Sequence, residues 1–326
     1  MKVLVTGANG LLGHHVVNEL LRRKHDVNVI VRNSSNIFFE TDKVNLFIGN
    51  FCDENDLSTS AEGCDAMIHI AGITDMNLLS LDDYEKVNVR GSSTILKVAG
   101  KFAIKTILFI STANTVGYQS PSGFSDENNP IQSPFCDSFY AQSKLSAEKL
   151  FFEASQQPGM HVIVLNPGFI LGGFDTKPSS GKMVLMAYKK QVMIAPSGGK
   201  NIVDAECASF AICNALTQGR NGEKYLITGQ NILFRAFYRL QKTIGNYRQI
   251  IVPVPDFVLL IIGGIGDLMG FFGIKNDIRT RNLRQLMIEE YYTNTKAKKE
   301  LGMQDTDIEK TLTKTIAWFK KRNLIK

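Results

Sequence analysis

The stretch Thr6-Gly7-Ala8-Asn9-Gly10-Leu11-Leu12-Gly13 limits what this chain can fold into more than any other. It follows directly on an apolar, strand-like run at 2–6 and opens residues 11–24, whose apolar positions recur at helical spacing. Three glycines at that junction allow a tight turn, let the backbone approach a pyrophosphate, and let helix pack closely on strand. The helix N-terminus adds unpaired N–H groups and a positive dipole end. Strand, TGxxGxxG turn and helix in that order predict a dinucleotide-binding unit.

The alternation continues. Short apolar runs at 26–31, 44–48, 66–71, 106–111 and 162–165 are separated by helical patterns, the longest at 84–102 and 138–155. This order predicts an α/β fold, a doubly wound parallel sheet with helices on both faces. Glycines and prolines cluster beyond residue 168. A dinucleotide-binding domain over 1–167 is therefore expected, with 168–326 mainly a smaller substrate-binding lobe and the chain returning to the sheet near 200–230. A length of 326 residues suits such a division, and 44% apolar with 21% charged residues is a globular composition. Five cysteines, at 52, 64, 136, 207 and 213, show no CxxC and no ligand spacing. They read as free thiols of a cytoplasmic protein.

The net charge of +6 lies wholly in residues 275–326, which hold 13 basic and 7 acidic side chains. Acids such as Glu289, Glu290 and Glu300 interrupt that tail, so it reads as a solvated helical face and nucleic acid is not an expected partner. Residues 257–266 are ten uncharged positions in a row. As a helix they span about 15 Å, half a bilayer core, so no transmembrane span is expected. A buried or substrate-covering helix is the first expectation; a peripheral membrane contact or a lid over a greasy substrate is the alternative. His14 and His15 have no carboxylate or thiol at ligand spacing, so they read as solvated helix residues and no metal is expected. Met183, Met186 and Met193 read as lobe packing.

Three sets of residues carry chemistry. Arg32 stands 19 residues past Gly13, where an NAD site places a carboxylate on the ribose hydroxyls. A guanidinium with hydroxyl neighbours suits a 2′-phosphate instead, which favours NADP over NAD. Tyr140 and Lys144 lie four apart on one helix face. The ammonium, with an oxidised nicotinamide, is expected to lower the phenol's pKa and make it a proton donor to a carbonyl. Ser111 and Thr112, at the end of a buried strand, both offer a hydroxyl to the developing oxyanion.

TGANGLLG, HIAG at 69–72, ISTANTVG at 110–117, YAQSK at 140–144 and NPGFILG at 166–172 resemble, in order, the extended short-chain dehydrogenase/reductase superfamily. The resemblance is to its dihydroflavonol-reductase-like and epimerase/dehydratase branches, over residues 1 to about 230. It implies that Gly7, Asn9, Gly10, Leu11, Leu12 and Gly13 hold the pyrophosphate and Arg32 the 2′-phosphate. Asn50 and Phe51 would flank the adenine, Asn50 standing where the family has an acid. Ala71 and Gly72 would line the ribose and nicotinamide approach, and Pro167, Gly168 and Phe169 would pass the carboxamide. Tyr140 would be the acid/base and Lys144 would bond the nicotinamide ribose. Counted back from Gly117, the family's catalytic serine falls on Thr112.

The expected function is NADP-dependent reduction of a ketone or aldehyde, or the reverse oxidation, on a small-molecule substrate. A nucleotide-sugar epimerase with tightly bound NAD is the alternative. Dehydration is disfavoured, because Ala113 and Asn114 stand where dehydratases add an acid pair. A non-catalytic NADP-binding redox sensor is a third reading, opposed by the presence of Tyr140 and Lys144. The apolar run at 257–266 tilts the substrate towards a hydrophobic alcohol or ketone, sterol- or terpenoid-like. In this superfamily the long helices beside the active-site strands often pair, so a homodimer is also implied.

Overall fold

The computed structural model describes residues 1–75, 78, 80–118, 123–274 and 276–326. The first half runs β1 (Lys2–Thr6), α1 (Leu11–Arg22), β2 (Asp26–Val31), β3 (Asn45–Ile48) and α2 (Glu54–Ala61). It continues through β4 (Ala66–His69), α3 (Leu81–Lys101), β5 (Thr106–Ile110), α4 (Phe139–Ser155) and β6 (His161–Pro167). The second half holds β7 (Phe169–Leu171), α5 (Lys182–Ala187), β8 (Val192–Ala195), β9 (Gly199–Asp204), α6 (Ala205–Gln218) and β10 (Glu223–Ile227). After these come β11 (Gln230–Leu233), α7 (Phe234–Gly245), β12 (Ile250–Pro253), α8 (Asp256–Phe271), α9 (Thr280–Leu283), α10 (Thr295–Leu301) and α11 (Ile308–Lys321).

Seven strands form one sheet in the order β10-β6-β5-β4-β1-β2-β3, every neighbouring pair parallel. The order reverses beside β1, so the loops after β1 and β4 open a crevice at the carboxyl ends of the strands. Strand side chains alternate between two cores. Val3 and Val5 of β1 join Val16 and Leu20 of α1 and Ile212 of α6 on one face. Leu4 joins Leu57, Ile95, Val98 and Phe151, from α2, α3 and α4, on the other. The fold is the doubly wound α/β sheet that the sequence predicts.

Beyond β6 the chain builds a three-stranded sheet, β11-β9-β7, and a two-stranded one, β12-β8. Both pack with α5, α7 and α11 around Phe237, Leu312 and Phe319. Among the described residues no helix is long and apolar enough to cross a membrane.

Three expectations fail here. His14 and His15 are buried, not solvated: Phe174 stacks on His14 at 5.1 Å, and His14 Nδ1 lies 2.8 Å from the Gly10 carbonyl. The reason is that α1 is covered on its outer side by α6 and by the loop after β7, contacts no local pattern records. Met183 and Met193 pack in the lobe core, but Met186 is exposed. The apolar run of α8 is not buried either: only Leu259, Gly263 and Gly266 are.

Candidate active site

A cavity of about 1410 Å³ lies across the carboxyl ends of the parallel strands. Its walls include every residue singled out in the sequence for cofactor or catalysis, from Gly7 to Phe169.

The β1–α1 turn comes first. Gly7 has φ +74°, and a Cβ there would sit 2.7 Å from the Ala71 nitrogen. Gly13 has a stricter reason: its Cβ would come 2.1 Å from the Gly7 carbonyl oxygen, so α1 could not lie this close to the strand. A Cβ on Gly10 would meet only that oxygen, at 3.3 Å, and otherwise point into space. Helix α1 starts from Gly10 with no side-chain cap and no acid in its first turn. Its free N–H groups and dipole therefore face the cavity uncompensated, which fits a dinucleotide pyrophosphate.

Arg32 follows β2 at the cavity rim, exposed, beside Asn33, Ser35 and Asn36. Among the described residues no carboxylate pairs with it. Asn50 is less free than its adenine role requires: its Oδ1 accepts from the Cys52 N–H at 3.1 Å. Phe51 leans on His69, ring centroids 5.3 Å apart. Ala71 donates its N–H to Thr6 Oγ1 at 3.2 Å, which fixes the β4 exit against β1.

The two hydroxyls at the end of β5 part company. Ser111 donates to the buried Glu148 carboxylate, beneath the cavity floor. The Thr112 hydroxyl neighbours the Tyr140 phenol, and both residues line the cavity. Burial pushes the Tyr140 phenol up to about 12, against the opposing effect of the neighbouring Thr112 hydroxyl. Lys144 donates to the Ile110 carbonyl at 2.6 Å and lies 4.3 Å from the Phe109 ring centroid. Burial brings it down to about 7, while Glu148 pulls the other way. In this structure Lys144 is not among the groups acting on the phenol, because its amine is turned to the β5 carbonyl. At neutral pH the phenol is fully protonated, the state an acid needs.

The sequence model of the NAD dependent epimerase/dehydratase family covers residues 3–220. The chain belongs to that family. Sterol demethylase protein B of Methylococcus capsulatus is 25% identical over 333 residues, spanning 100% of both chains. The decarboxylating sterol-4-alpha-carboxylate 3-dehydrogenase of Candida albicans is 24% identical over 344 residues, 97% of each. The crystal structure of gox2253 superposes with a TM-score of 0.85 at 26% identity, over 100% of this chain and 99% of that one. Relatives named as dehydrogenases and ketoreductases, together with the family, make this chain an NAD(P)-dependent oxidoreductase.

In this family member the supporting residues were the ones the motifs did not reveal. One oxygen of Glu148 accepts from Ser111 Oγ, from Thr115 Oγ1 at 2.6 Å and from Asn166 Nδ2 at 2.7 Å. That network ties α4, the β5 exit and β6 together under the two cavity hydroxyls. A signal existed: Tyr140, Lys144 and Glu148 are successive i,i+4 positions on one helix face. Asn88 of α3 accepts from the Ile73 N–H at 2.8 Å and donates to Ser143 Oγ at 3.0 Å, fastening the β4 exit to α4. Nothing in the sequence around Asn88 announces this. Across the cavity, the ion pair of Lys200 with Glu290 stands beside Tyr292 and Gln285. Burial pushes the Glu290 carboxyl up despite Lys200.

Proposed function

We propose that this enzyme is an NADP-dependent reductase or dehydrogenase of a hydrophobic ketone or alcohol, with Tyr140 as its acid/base. The observation carrying the reading is the Thr112–Tyr140 hydroxyl pair at the cavity wall, beside an uncapped glycine-rich helix start. A bound nicotinamide supplies or accepts the hydride. Thr112 orients the substrate carbonyl, and Tyr140 delivers its proton to the oxygen as negative charge develops. Lys144 would hold the nicotinamide ribose, and Arg32 the 2′-phosphate. Gly7, Asn9, Gly10, Leu11, Leu12 and Gly13 would hold the pyrophosphate. Asn50 and Phe51 would flank the adenine, with Ala71, Gly72, Pro167, Gly168 and Phe169 around the nicotinamide. Residues 168–326 would mainly form the substrate-binding lobe on the 1–167 cofactor domain.

A sterol- or terpenoid-like substrate is supported by the sterol names of two full-length relatives. A cytoplasmic location and a homodimer through α3 and α4 belong to the same reading, the latter checked by size-exclusion chromatography. The deciding experiment is a panel of steroid, terpenoid and aryl carbonyls with NADPH oxidation followed by absorbance. Turnover on any member, abolished by Tyr140→Phe, supports the reading. An enzyme that purifies with non-exchanging NAD and epimerises a nucleotide sugar would overturn it.

A further inference from the structure

Helix α8 is built inside out for a protein in water. Its protein-facing stripe is Leu259, Gly263, Gly266 and Gly270, at spacings of four, three and four. Added Cβ atoms on the three glycines would come within 2.7 Å of Thr280, Ile278 and Arg279, so the small residues seat the helix on the segment before and within α9. The large apolar residues point the other way. Phe257, Leu260, Ile261, Ile265, Leu268 and Phe271 are all exposed, Ile261 at 61% and Phe271 at 84%. At about 100° per residue these six and Ile262, itself exposed, span an arc of about 200°, more than half the helix circumference. A water-facing helix shows the opposite pattern, with its apolar stripe turned to the core. Small residues towards protein and large apolar residues outward is the arrangement of helices that face lipid.

The surface continues beyond the helix. The two-stranded sheet feeding α8 exposes Val192 and Ile194 on β8 and Ile250 and Val252 on β12. The end of this sheet is tied to the helix start by the bond from Ser197 Oγ to Asp256 at 2.6 Å. An apolar surface of this extent on a soluble chain marks an interaction site. Charge indicates the partner. Segments 182–195 and 246–286 hold eight basic and three acidic residues. Lys189, Lys190 and Arg248, just before β8 and β12, and Arg284, just after α9, are exposed. Among the described residues none of these four is paired with a carboxylate. The acids are already occupied: Asp256 by Ser197, Asp267 by the Thr280 N–H, and Asp277 by Lys182.

We infer that α8 and the exposed face of the β8–β12 pair dock this enzyme onto an anionic lipid surface. The apolar side chains enter the acyl boundary and the cations meet the headgroups. A helix of 16 residues is about 24 Å long and lies in the interface; it does not span it. A second copy of the chain would cover one side of the helix, whereas a fluid apolar phase covers the whole exposed arc. The docked segment also walls the cavity, since Asp277, Asn282 and Leu283 line it.

The inference is independent of the substrate and is tested without turnover. The purified full chain is sedimented with vesicles of phosphatidylcholine, with and without phosphatidylglycerol, at low and high salt. The expected result is binding that is stronger on the anionic vesicles and weakens with salt. Ile261→Glu with Ile265→Glu should lower the bound fraction about tenfold or more. Both positions are exposed, so melting temperature and cofactor affinity should hold. Should that variant lose its fold, Lys189→Glu with Lys190→Glu still tests the idea, by removing the preference for anionic vesicles. A wild-type chain that stays in the supernatant with both vesicles at low salt overturns the inference. So does a wild-type dimer, by size exclusion, that the Ile261→Glu, Ile265→Glu variant converts to monomer while vesicle binding is absent.

Discussion

Replacing Arg32 by alanine should collapse the enzyme's preference for NADPH over NADH. The guanidinium stands one residue beyond β2, exposed at the cavity rim, with no carboxylate partner among the described residues. Its neighbours offer little in its place, since Ser35 Oγ donates to Asn33 Oδ1. A 2′-phosphate brings nearly two negative charges to this position, and the planar fork can give it two charge-assisted hydrogen bonds. Each contributes about 1.5–3 kcal/mol in a shielded setting. Exposure and salt screening reduce the pair to roughly the value of one, about 1.5–3 kcal/mol in all. At about 1.4 kcal/mol per decade this predicts NADPH binding on the order of ten- to a hundredfold tighter than NADH. Titrating both cofactors by calorimetry against wild type and Arg32→Ala checks it. The variant should lose affinity for NADPH alone, and the wild-type gap should narrow as salt rises. Equal wild-type affinities, or an equal loss for both cofactors in the variant, would refute the reasoning.

Tyr140→Phe should cut turnover by about a hundredfold to ten-thousandfold while cofactor affinity, read by titration, stays within a factor of about two. Thr112→Val should be slow at unchanged cofactor affinity and Thr112→Ser active. Ser111→Ala should instead register mainly as a lower melting temperature, because its hydroxyl serves Glu148. Glu148→Gln replaces a carboxylate accepting three bonds, so a loss of about 2–4 kcal/mol in denaturant unfolding is expected. Lys144 is held near 7 when folded and returns to its ordinary value of about 10.4 when unfolded. Between those values the unfolded chain binds more protons, so this lysine makes the cofactor-free protein more stable as pH rises from about 7 to 10. Thermal melts across that range should show wild type gaining on Lys144→Met, and parallel curves would count against a buried, discharged amine.

The sequence by itself determined the doubly wound sheet, because a short unbroken apolar run followed by a period-3.6 one is a local property that survives without any knowledge of partners. It also determined which residues meet in the crevice. Glycines at 7, 10 and 13, Arg32 after β2, and Tyr140 with Lys144 on one helix face all sit at the carboxyl ends of parallel strands or beside them. In a parallel sheet those ends must converge. What the tertiary structure decided was direction. Ser111 and Thr112 are equivalent donors in the sequence, and only the packing of α4 on β5 turns one to Glu148 and the other to Tyr140. Helix spacing puts Lys144 on the same face as Tyr140, but only the packing of α4 on β5 turns its amine to the Ile110 carbonyl. His14 and His15 read as wet because burial by α6 and Phe174 comes from residues about 160–200 positions away. Residues 257–266 read as core because hydropathy records how apolar a side chain is, not which way it faces. In α8 the glycines took the inner face, and the apolar side chains were left outside.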